Sequence, residues 1–408
     1  MAGHHVVEIH DAEEARALFQ DIGVDPGAYL YLMPKAFFRF IKLKNISARA
    51  ALIIKQEMLS KGGEAAIARG ALSSGEGPSD VLLMGNLKHY RLLLEKLKVQ
   101  PFGLKQLAAD IEAMLDAVTP QKASIPLAGS RPLEMGGKPL VMGILNVTPD
   151  SFSDGGKYND PARAVERALE MAAEGADIID IGGASSRPGA QIVDEAEELQ
   201  RVMPVVERLA GEDLTLSIDT FRGSVAEACL AAGVHMVNDI GRLQLDPGLL
   251  PIVVKHRAVI ILMHNRMQML SDEPYHDLIS DIIDELQQSA GQAREAGVLR
   301  QHIIVDPGIG FGKTAAQSRY IIKHLSELHS LGYPVLLGAS RKRFIGHTLE
   351  LEVDERLEAS LAVVAMAVMN GADILRVHDV KESRRVVDMT WAIMQEKGHS
   401  EPLPPGVS

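Results

Sequence analysis

The 408 residues contain 42 Lys and Arg against 54 Asp and Glu, which gives a formal net charge of -12. A surface of that sign disfavours nucleic acid and acidic membranes as partners, so an anionic ligand would need a local basic pocket. The single cysteine, Cys229, excludes a disulfide within the chain and fits a reducing, cytoplasmic location. Residues 1–5 lack the features of a secretory signal, and the longest apolar run, 361–369, is too short to span a bilayer. We therefore expect a soluble protein.

Residues 1–117 lack the periodicity of the later chain and indicate a small α/β or α+β domain. The Pro/Ala/Ser-rich segment 120–128 marks a domain boundary, and we expect residues 118–137 to form a linker and a small hairpin, the latter near 131–139. The predicted helices of the first domain are 11–20, 47–60, 64–69, 87–97 and 103–118, and its predicted strands are 29–33, 37–44 and 81–84.

From residue 138 to 397, short apolar runs alternate with helical stretches. Eight strand–helix repeats over about 255 residues are typical of a parallel (β/α)8 TIM barrel. A doubly wound open sheet is the alternative, but no glycine-rich dinucleotide motif follows the first strand. Residues 398–408 are Pro-rich, and we expect a disordered tail. The eight predicted strands are 141–146, 177–182, 214–219, 234–238, 258–263, 302–306, 334–339 and 373–377.

Each predicted barrel strand is followed by side chains that carry charge or form hydrogen bonds. The carboxyl ends of the strands form the catalytic face of a TIM barrel. One such residue would be explained as a helix cap or a turn former, but eight together favour an enzyme. These strand ends are Asn146, Gly182-Gly183 leading to 185–189, Asp219-Thr220, Asn238-Asp239, His264-Asn265, Asp306-Pro307-Gly308, Ser340-Arg341-Lys342 and Arg376-Val377-His378-Asp379.

The residue types at these strand ends suggest a flat heterocycle with several N–H donors. Asp219, Asn238 and Asp306 would supply acceptors and an amide. Lys342 could meet a carbonyl oxygen of the ring, and the planar guanidinium of Arg376 could stack on it.

A phosphate site is predicted where strands eight and one adjoin in a closed barrel. Arg376, His378 and Asn146 lie at these two neighbouring strand ends. Strand one lacks carboxylates, so a Mg²⁺ ion there would be held mostly by phosphate oxygens and water, with Asn146 as its protein ligand.

Residues 307–314, Pro-Gly-Ile-Gly-Phe-Gly-Lys-Thr, look like a P-loop. That motif has four residues between its first glycine and its Gly-Lys pair, whereas Gly308 and Gly312 are separated by three. We expect instead a glycine-lined floor after strand six, with Phe311 as a packing wall.

Taken together, these motifs resemble those of the dihydropteroate synthases. They occur in the family's order within residues 138–395, nearly two-thirds of the chain. The first 117 residues lie outside this core and resemble the N-terminal extension of longer synthases. The matching segments are 142–156, 180–183, 186–189, 217–220, 238–240, 262–264, 306–313, 340–342 and 376–379.

The resemblance implies a transferase of folate biosynthesis that uses Mg²⁺. It would join 6-hydroxymethyl-7,8-dihydropterin diphosphate to 4-aminobenzoate and release pyrophosphate and 7,8-dihydropteroate. Catalytic roles are implied for Asp219, Asp306, Lys342, Arg376 and His378. The other implied pterin contacts are Asn238 and Met263, and the implied diphosphate and Mg²⁺ residue is Asn146.

The aminobenzoate site, where sulfonamides compete in this family, is implied to lie between two mobile loops, 148–154 and 185–191. Ala184 replaces a Glu that is frequent in the family, and Ser186 replaces a Thr but keeps the hydroxyl. Asn265-Arg266-Met267 replaces Met-x-Gly, so the fifth loop also departs from the family pattern. The residues implied to border the aminobenzoate are Ser186, Arg187, Pro188, Phe311 and Ser340.

The main alternative is a pterin-binding methyltransferase that passes a methyl group from methyltetrahydrofolate to a corrinoid protein. It would share the barrel and the acidic pterin contacts, but the cationic segments 340–342 and 376–378 would have no diphosphate to bind. A non-enzymatic folate-binding module is the other alternative, and it would not need a diphosphate pocket.

Helix 357–369 is predicted to be apolar on most of its sides. Either the N-terminal domain of the same chain or a second copy would have to cover it. Related synthases present their late barrel helices to a twofold partner, so the resemblance favours a homodimer.

Overall fold

The structure is a computed structural model that describes residues 3–72, 77–119, 122–148, 161–184, 193–267 and 273–396. The chain divides into two compact units, one ending at Asp116 and the other running from Ala117 to Glu396. This division lies one residue from the boundary predicted at 117, and the predicted tail 398–408 lies outside the described residues. None of the described helices is long and apolar enough to cross a membrane.

In its described part, the first unit contains a three-stranded antiparallel sheet in the order β1-β3-β2. Alternate residues such as Leu43 and Leu83 point to one face of this sheet and pack against helices. The elements are α1 (Ala12–Ile22), α2 (Tyr29–Ala36), β1 (Phe38–Ile46), α3 (Ala48–Ser60), β2 (Glu64–Ile67), β3 (Ser79–Asn86), α4 (Leu87–Leu97) and α5 (Leu104–Ala117).

Two predictions for this unit were wrong. Segment 29–33, predicted as a strand from its aromatic and apolar residues, begins α2. A 3₁₀ turn at Pro26, capped by Asp25, leads directly into this helix. Segment 64–69, predicted as a helix from its alanines, begins with β2. Its Ala65 is fully buried and pairs with β3, so tertiary pairing overrides the local helix propensity.

The second unit forms the predicted TIM barrel, and this prediction is confirmed. In the described residues, eight parallel strands follow the order β11-β10-β9-β8-β7-β6-β13-β12, and a bridge between Val305 and Val335 joins the two ends. The barrel strands are β6 (Leu140–Asn146), β7 (Ile178–Gly182), β8 (Leu216–Asp219), β9 (Met236–Asp239), β10 (Val259–Met263), β11 (Ile303–Asp306), β12 (Leu336–Leu337) and β13 (Ile374–Val377).

A hairpin precedes the barrel, but it starts earlier than the predicted 131–139. Its strands are β4 (Ala123–Ile125) and β5 (Leu133–Met135), which pair antiparallel. The side chains of Ile125, Leu133 and Met135 are buried against the inner core of the barrel, which explains why these segments pair. The hairpin therefore closes the amino-terminal end of the barrel.

Helices follow the strands and cover the outside of the barrel. They are α6 (Pro161–Ala173), α7 (Glu195–Leu209), α8 (Gly223–Ala231), α9 (Leu249–His256), α10 (Leu278–Glu295), α11 (Ala315–Lys323), α12 (Arg343–Leu349), α13 (Leu357–Met369) and α14 (Val380–Gln395).

Strand alternation decides which residues face the inside of the barrel. Outward residues such as Leu145, Ile179 and Ile218 pack under the helices. Successive side chains point to opposite faces of the sheet. Counting from an inner residue toward the carboxyl end of a strand, every second residue therefore points inward. The inner core residues of the strands are Met142, Ile178, Met236, Val259, Ile261, Ile304, Leu336 and Ile374.

Candidate active site

The inward positions at the carboxyl ends of the strands are mostly polar. Two of them, Gly182 and Gly338, carry no side chain and leave room in the mouth of the barrel. A Cβ at Gly182 would lie 3.7 Å from Asn146 Oδ1, and one at Gly338 would lie 3.9 Å from Asp306 Oδ2. The inward side chains around this space are Asn146, Asp180, Asp219, Asn238, Met263, Asp306 and Arg376.

Arg376 lies at the centre of this ring and joins two carboxylates. Its Nε donates to Asp180 Oδ2 at 2.6 Å, and its Nη2 donates to Asp219 Oδ2 at 2.6 Å. Burial alone would lower the pKa of Arg376, but the two carboxylates raise it above its usual value. The guanidinium therefore remains charged and compensates two buried acids.

Asp219 and Asp306 are both buried acceptors at the mouth. Burial raises the pKa of Asp219 to about 7, with Asp180 adding to this effect and Arg376 opposing it. Burial also raises the pKa of Asp306, although Lys342 opposes it and Gly308 N donates to its Oδ1 at 2.7 Å. Burial thus raises the pKa of both carboxyl groups, and both are placed to accept hydrogen bonds from a ligand with N–H donors.

The neighbouring strand ends place the other predicted pterin contacts beside these acids. Asn238 pairs in register with Asp219, and Met263 pairs with Asp306. Asn238 Nδ2 donates to Asp180 Oδ2 at 3.0 Å, so its Oδ1 remains as the acceptor of this amide. The structure therefore brings Asp219, Asn238, Met263 and Asp306 together.

The loop after β11 forms a glycine-lined floor. Gly308 and Gly312 have φ of 65° and 67°, a region that L side chains rarely adopt. Lys342 Nζ donates to Ile309 O at 2.5 Å and lies 4.6 Å from the centroid of the Phe311 ring. Burial lowers the pKa of Lys342 to about 8. The predicted floor, its Phe311 wall and Lys342 therefore form one contiguous surface.

Backbone contact fixes this floor against the loop after β10. A Cβ at Gly308 would lie 1.9 Å from His264 O, and one at Gly312 would lie 2.4 Å from Arg266 O. No side chain fits at either position. The glycines of the P-loop-like motif therefore serve close packing of two loops.

Lys313 of that motif is buried in a network behind the floor. Its Nζ donates to His264 Nδ1 at 2.9 Å and to Phe311 O at 3.1 Å. Burial, with the nearby Lys313 charge, lowers the pKa of His264 to about 3, so this histidine is neutral. Its Nε2 lies 3.3 Å from Glu285 Oε2 on α10. Since Lys313 is engaged by protein groups, it does not act as the phosphate-binding lysine of a P-loop.

The same network holds the unusual fifth loop. Arg266 Nε donates to Glu285 Oε1 at 2.6 Å, and the Arg266 guanidinium lies 4.2 Å from the centroid of the Tyr275 ring. Asn265 Nδ2 donates to Ile240 O at 3.0 Å, while its Oδ1 accepts from Met267 N. These contacts hold residues 265–267, which differ from the family pattern, in a defined conformation.

Ser340 and His378 meet where β12 and β13 end. His378 Nδ1 lies 3.1 Å from Ser340 Oγ, which also accepts from His378 N at 3.3 Å. Arg341, between the predicted site residues Ser340 and Lys342, pairs through two nitrogens with Asp379. The Arg341 guanidinium therefore links the ends of β12 and β13.

Several predicted residues lie outside the described part of the chain. They are Ser186, Arg187 and Pro188, together with most of the two predicted loops, 148–154 and 185–191. Among the residues that the structure describes, no cluster of three or more His, Cys, Asp or Glu could hold a metal ion.

Asp180 was absent from the predicted site, although it contacts two of its members. A signal was present in the sequence, because Asp180 is a charged residue within the apolar run Ile178–Gly182. Asp180 also lies two residues after the inward-facing Ile178, so strand alternation points its side chain into the barrel. The predicted site was drawn from the last residues of each strand, and Asp180 lies two residues before the end of β7.

Comparison with known proteins agrees with this geometry. Residues 142–378, more than half of the chain, match the family described as pterin binding enzyme. The chain therefore belongs to the pterin-binding enzyme family. Within that family it is similar to dihydropteroate synthases, as its sequence motifs predicted.

The similarity to these synthases covers about two thirds of the chain. The dihydropteroate synthase of Bacillus subtilis (strain 168) is 47% identical over 262 residues, covering 64% of this chain and 90% of that protein. The solved structure of Xanthomonas albilineans dihydropteroate synthase with 4-aminobenzoic acid is 41% identical, with a TM-score of 0.64. It covers 68% of this chain and 100% of that one.

Another relative extends the similarity beyond the barrel. The probable bifunctional folylpolyglutamate synthase/dihydropteroate synthase of Halobacterium salinarum is 40% identical over 389 residues, which are 94% of this chain and 46% of that protein. The first unit therefore has a counterpart in this longer relative.

Proposed function

We propose that this chain is a dihydropteroate synthase, which joins 6-hydroxymethyl-7,8-dihydropterin diphosphate to 4-aminobenzoate in folate biosynthesis. The observation that carries this proposal is the convergence of Asp219, Asn238 and Asp306 on one space inside the barrel mouth, beside Lys342. Carboxylate and amide acceptors match the N–H donors of a pterin, and the ammonium matches its carbonyl oxygen. Similarity to synthases across the barrel supports the same activity.

The difficult part of the reaction is the departure of pyrophosphate, since an arylamine is nucleophilic without a general base. The arylamine nitrogen forms a bond to the pterin methylene carbon, while the bond from that carbon to the diphosphate oxygen breaks. Pyrophosphate leaves with the electron pair, and the amine then loses a proton. Asp219 and Asp306 favour the electron-poor pterin, and the cationic Arg376 stabilises the charge that develops on the departing diphosphate. Ser340 holds His378 at the same edge.

We propose Mg²⁺ as the cofactor: Asn146 would hold it together with the substrate diphosphate, and His378 would contact the diphosphate. The described residues fit this arrangement because Asn146 offers an amide oxygen beside open space at Gly182. When bound, Mg²⁺ would neutralise charge on the leaving group. The family resemblance assigns Ser186, Arg187, Pro188, Phe311 and Ser340 to the aminobenzoate site.

The proposal is tested by measuring pyrophosphate release from the full chain. We expect release only when the pterin diphosphate, 4-aminobenzoate and Mg²⁺ are all present. Transfer of a methyl group from methyltetrahydrofolate to a corrinoid protein, without pyrophosphate release, would instead indicate the methyltransferase. Pterin binding without either reaction would indicate a folate-binding module.

Arg187 provides a test of the second substrate site. If the loops complete that site only after the pterin diphosphate has bound, Arg187→Ala should raise the KM for aminobenzoate about tenfold or more, a loss of about 1.4 kcal/mol. The KM for the pterin diphosphate should stay within about twofold of its wild-type value. Steady-state kinetics with each substrate varied in turn decides this. An equal loss for both substrates in a folded variant would contradict the assignment.

We also propose that the protein is a homodimer in which α13 and α14 pair with a second copy. These two helices pack together, and their outer faces carry four exposed apolar side chains. Met366 and Met369 on α13 are 46% and 61% exposed, while Met389 and Ile393 on α14 are 62% and 64% exposed. Exposed apolar side chains on two adjacent helices support an interaction surface for a second copy.

Light scattering of the full chain measures its mass directly. We expect a dimer at micromolar concentration, and the double variant Met369→Glu/Ile393→Glu should be monomeric because it places four charges in the twofold interface. Leu299→Glu, at an exposed residue on another part of the barrel, is the control and should remain dimeric. A monomeric wild-type protein would contradict the proposal and favour coverage by the first unit.

A further inference from the structure

We propose that Asp180 is a positioning residue of the pterin site, which orients the Asn238 amide and the Arg376 guanidinium toward the substrate. This inference rests on the proposed function. It adds to the site a residue that need not touch the substrate and acts through two residues that do.

The position of Asp180 suits this role. It lies on the inner face of β7, one layer below the mouth, and its side chain is fully buried. Its Oδ2 accepts from both Asn238 Nδ2 and Arg376 Nε, at 3.0 and 2.6 Å. One oxygen thus connects β7 with β9 and β13, the strands that carry the two substrate contacts.

The contact with Asn238 decides which end of the amide faces the ligand. An amide oxygen and nitrogen have nearly the same shape, so the hydrogen-bond network sets their orientation. With Nδ2 directed to Asp180, Oδ1 is left for the N–H donors of the pterin. Without Asp180 the amide could turn over, and its NH₂ group would oppose those donors.

The contact between Asp180 and Arg376 leaves an oxygen of Asp219 available to accept a hydrogen bond from the pterin. The guanidinium divides its donors between the two acids, with Nε on Asp180 and Nη2 on Asp219. If Asp180 were removed, the fork of Arg376 could pair with both oxygens of Asp219. That pairing would occupy the acceptor that the pterin requires.

The neighbouring Ser217 provides a conservative substitution. Asp180 and Ser217 pair in register, and neither Asp180 Oδ1 nor Ser217 Oγ has a hydrogen-bond partner among the described residues. In Asp180→Asn, the carbonyl oxygen could replace Oδ2 while the new NH₂ donates to Ser217 Oγ. This variant should therefore retain the orienting contacts, whereas Asp180→Ala loses them.

The test compares Asp180→Ala, Asp180→Asn and the control Asp177→Ala. Asp177 precedes the same strand and also pairs with an arginine, Arg384, but at the amino-terminal end of the barrel. Calorimetric titration with the pterin diphosphate should show at least a tenfold weaker Kd for Asp180→Ala. Asp180→Asn and Asp177→Ala should both stay within threefold of the wild type. In turnover, Asp180→Ala should raise the KM for the pterin substrate and leave that for aminobenzoate unchanged.

The pH profile separates positioning from general structural support. Asp219 is faced by Asp180 on β7, Arg376 on β13, Glu198 on α7 and Lys342 after β12. Removing the negative charge of Asp180 should lower the pKa of Asp219, so an acid limb of kcat/KM due to Asp219 should move to lower pH in both Asp180 variants. The Asp177 control should show no such movement.

Unchanged pterin affinity in Asp180→Ala would overturn the inference. So would an equal loss in Asp180→Ala and Asp177→Ala, because that pattern indicates general destabilisation. Wild-type protein that binds the pterin diphosphate but releases no pyrophosphate would contradict the proposed function, while the binding comparison would still decide the role of Asp180.

Discussion

Replacing Asp219 or Asp306 with alanine is expected to abolish measurable binding of the pterin diphosphate. Both carboxyl groups are buried inward-facing acceptors, at 9% and 4% exposure. Without either one, N–H groups of the ligand would be buried without an acceptor, at a cost of about 1–3 kcal/mol for each group and more for a charged partner. Calorimetry on the purified variants measures this loss directly.

Asp239 provides a matched control for these two variants. It is another buried acid at the carboxyl end of the barrel, but it follows the inward Asn238 and therefore has the opposite parity. Its carboxylate accepts from Gly241 N and Leu243 N at 2.7 and 2.6 Å, within a loop. Asp239→Asn should lower the melting temperature with little change in pterin affinity. Wild-type affinity in the Asp219 or Asp306 variant would contradict the site.

Arg376→Met is expected to remove activity and to destabilise the fold by about 3–5 kcal/mol at neutral pH, because it leaves the buried carboxyl groups of Asp180 and Asp219 without their cation. Burial already raises the pKa of Asp219 and Arg376 opposes this, so in the variant the native-state pKa of Asp219 would lie further above its unfolded value of about 4. Above about pH 4 the native state of the variant would therefore bind more protons than its unfolded state. Its free energy of unfolding should then fall as the pH rises. The deficit should therefore be smaller at pH 5 than at pH 8.

Denaturant unfolding at these two pH values tests this expectation, with Arg341→Met as the control. Arg341 also pairs with an aspartate, Asp379, but its side chain is 35% exposed, so its loss should cost less than about 1 kcal/mol. A second variant, Arg376→Met/Asp180→Asn, should recover part of the lost stability because one buried charge is removed. A deficit of equal size at pH 5 and pH 8 would contradict the buried ion-pair account.

The barrel and most of its mouth were predictable because strand alternation and strand-end position are local properties of the sequence. Once a run such as Met236–Asp239 is recognised as a strand, the inward direction of Asn238 follows from that of Met236. The prediction that Asp219, Asn238 and Asp306 face one space needed only this rule and closure of the barrel.

Contacts between distant segments were not predictable from the sequence. Arg266 meets Glu285 across 19 residues, and Arg376 meets Asp180 across 196. No local pattern encodes such pairs, so the fifth-loop network and the contacts of Asp180 with Asn238 and Arg376 are visible only in the folded chain. The error at 64–69 has the same origin, since pairing with β3 overrides the side-chain propensity there. The error at 29–33 differs, because the 3₁₀ turn that leads into α2 is a local feature capped by Asp25.

The most direct test of the central claim is to identify the products that the full chain forms from both substrates with Mg²⁺. Mass spectrometry and a pyrophosphate assay should show 7,8-dihydropteroate and pyrophosphate in equal amounts from the wild-type protein, and neither product from Asp219→Ala. Pyrophosphate without dihydropteroate, or equal turnover by the wild type and Asp219→Ala, would contradict the account of a synthase whose pterin site lies inside this barrel mouth.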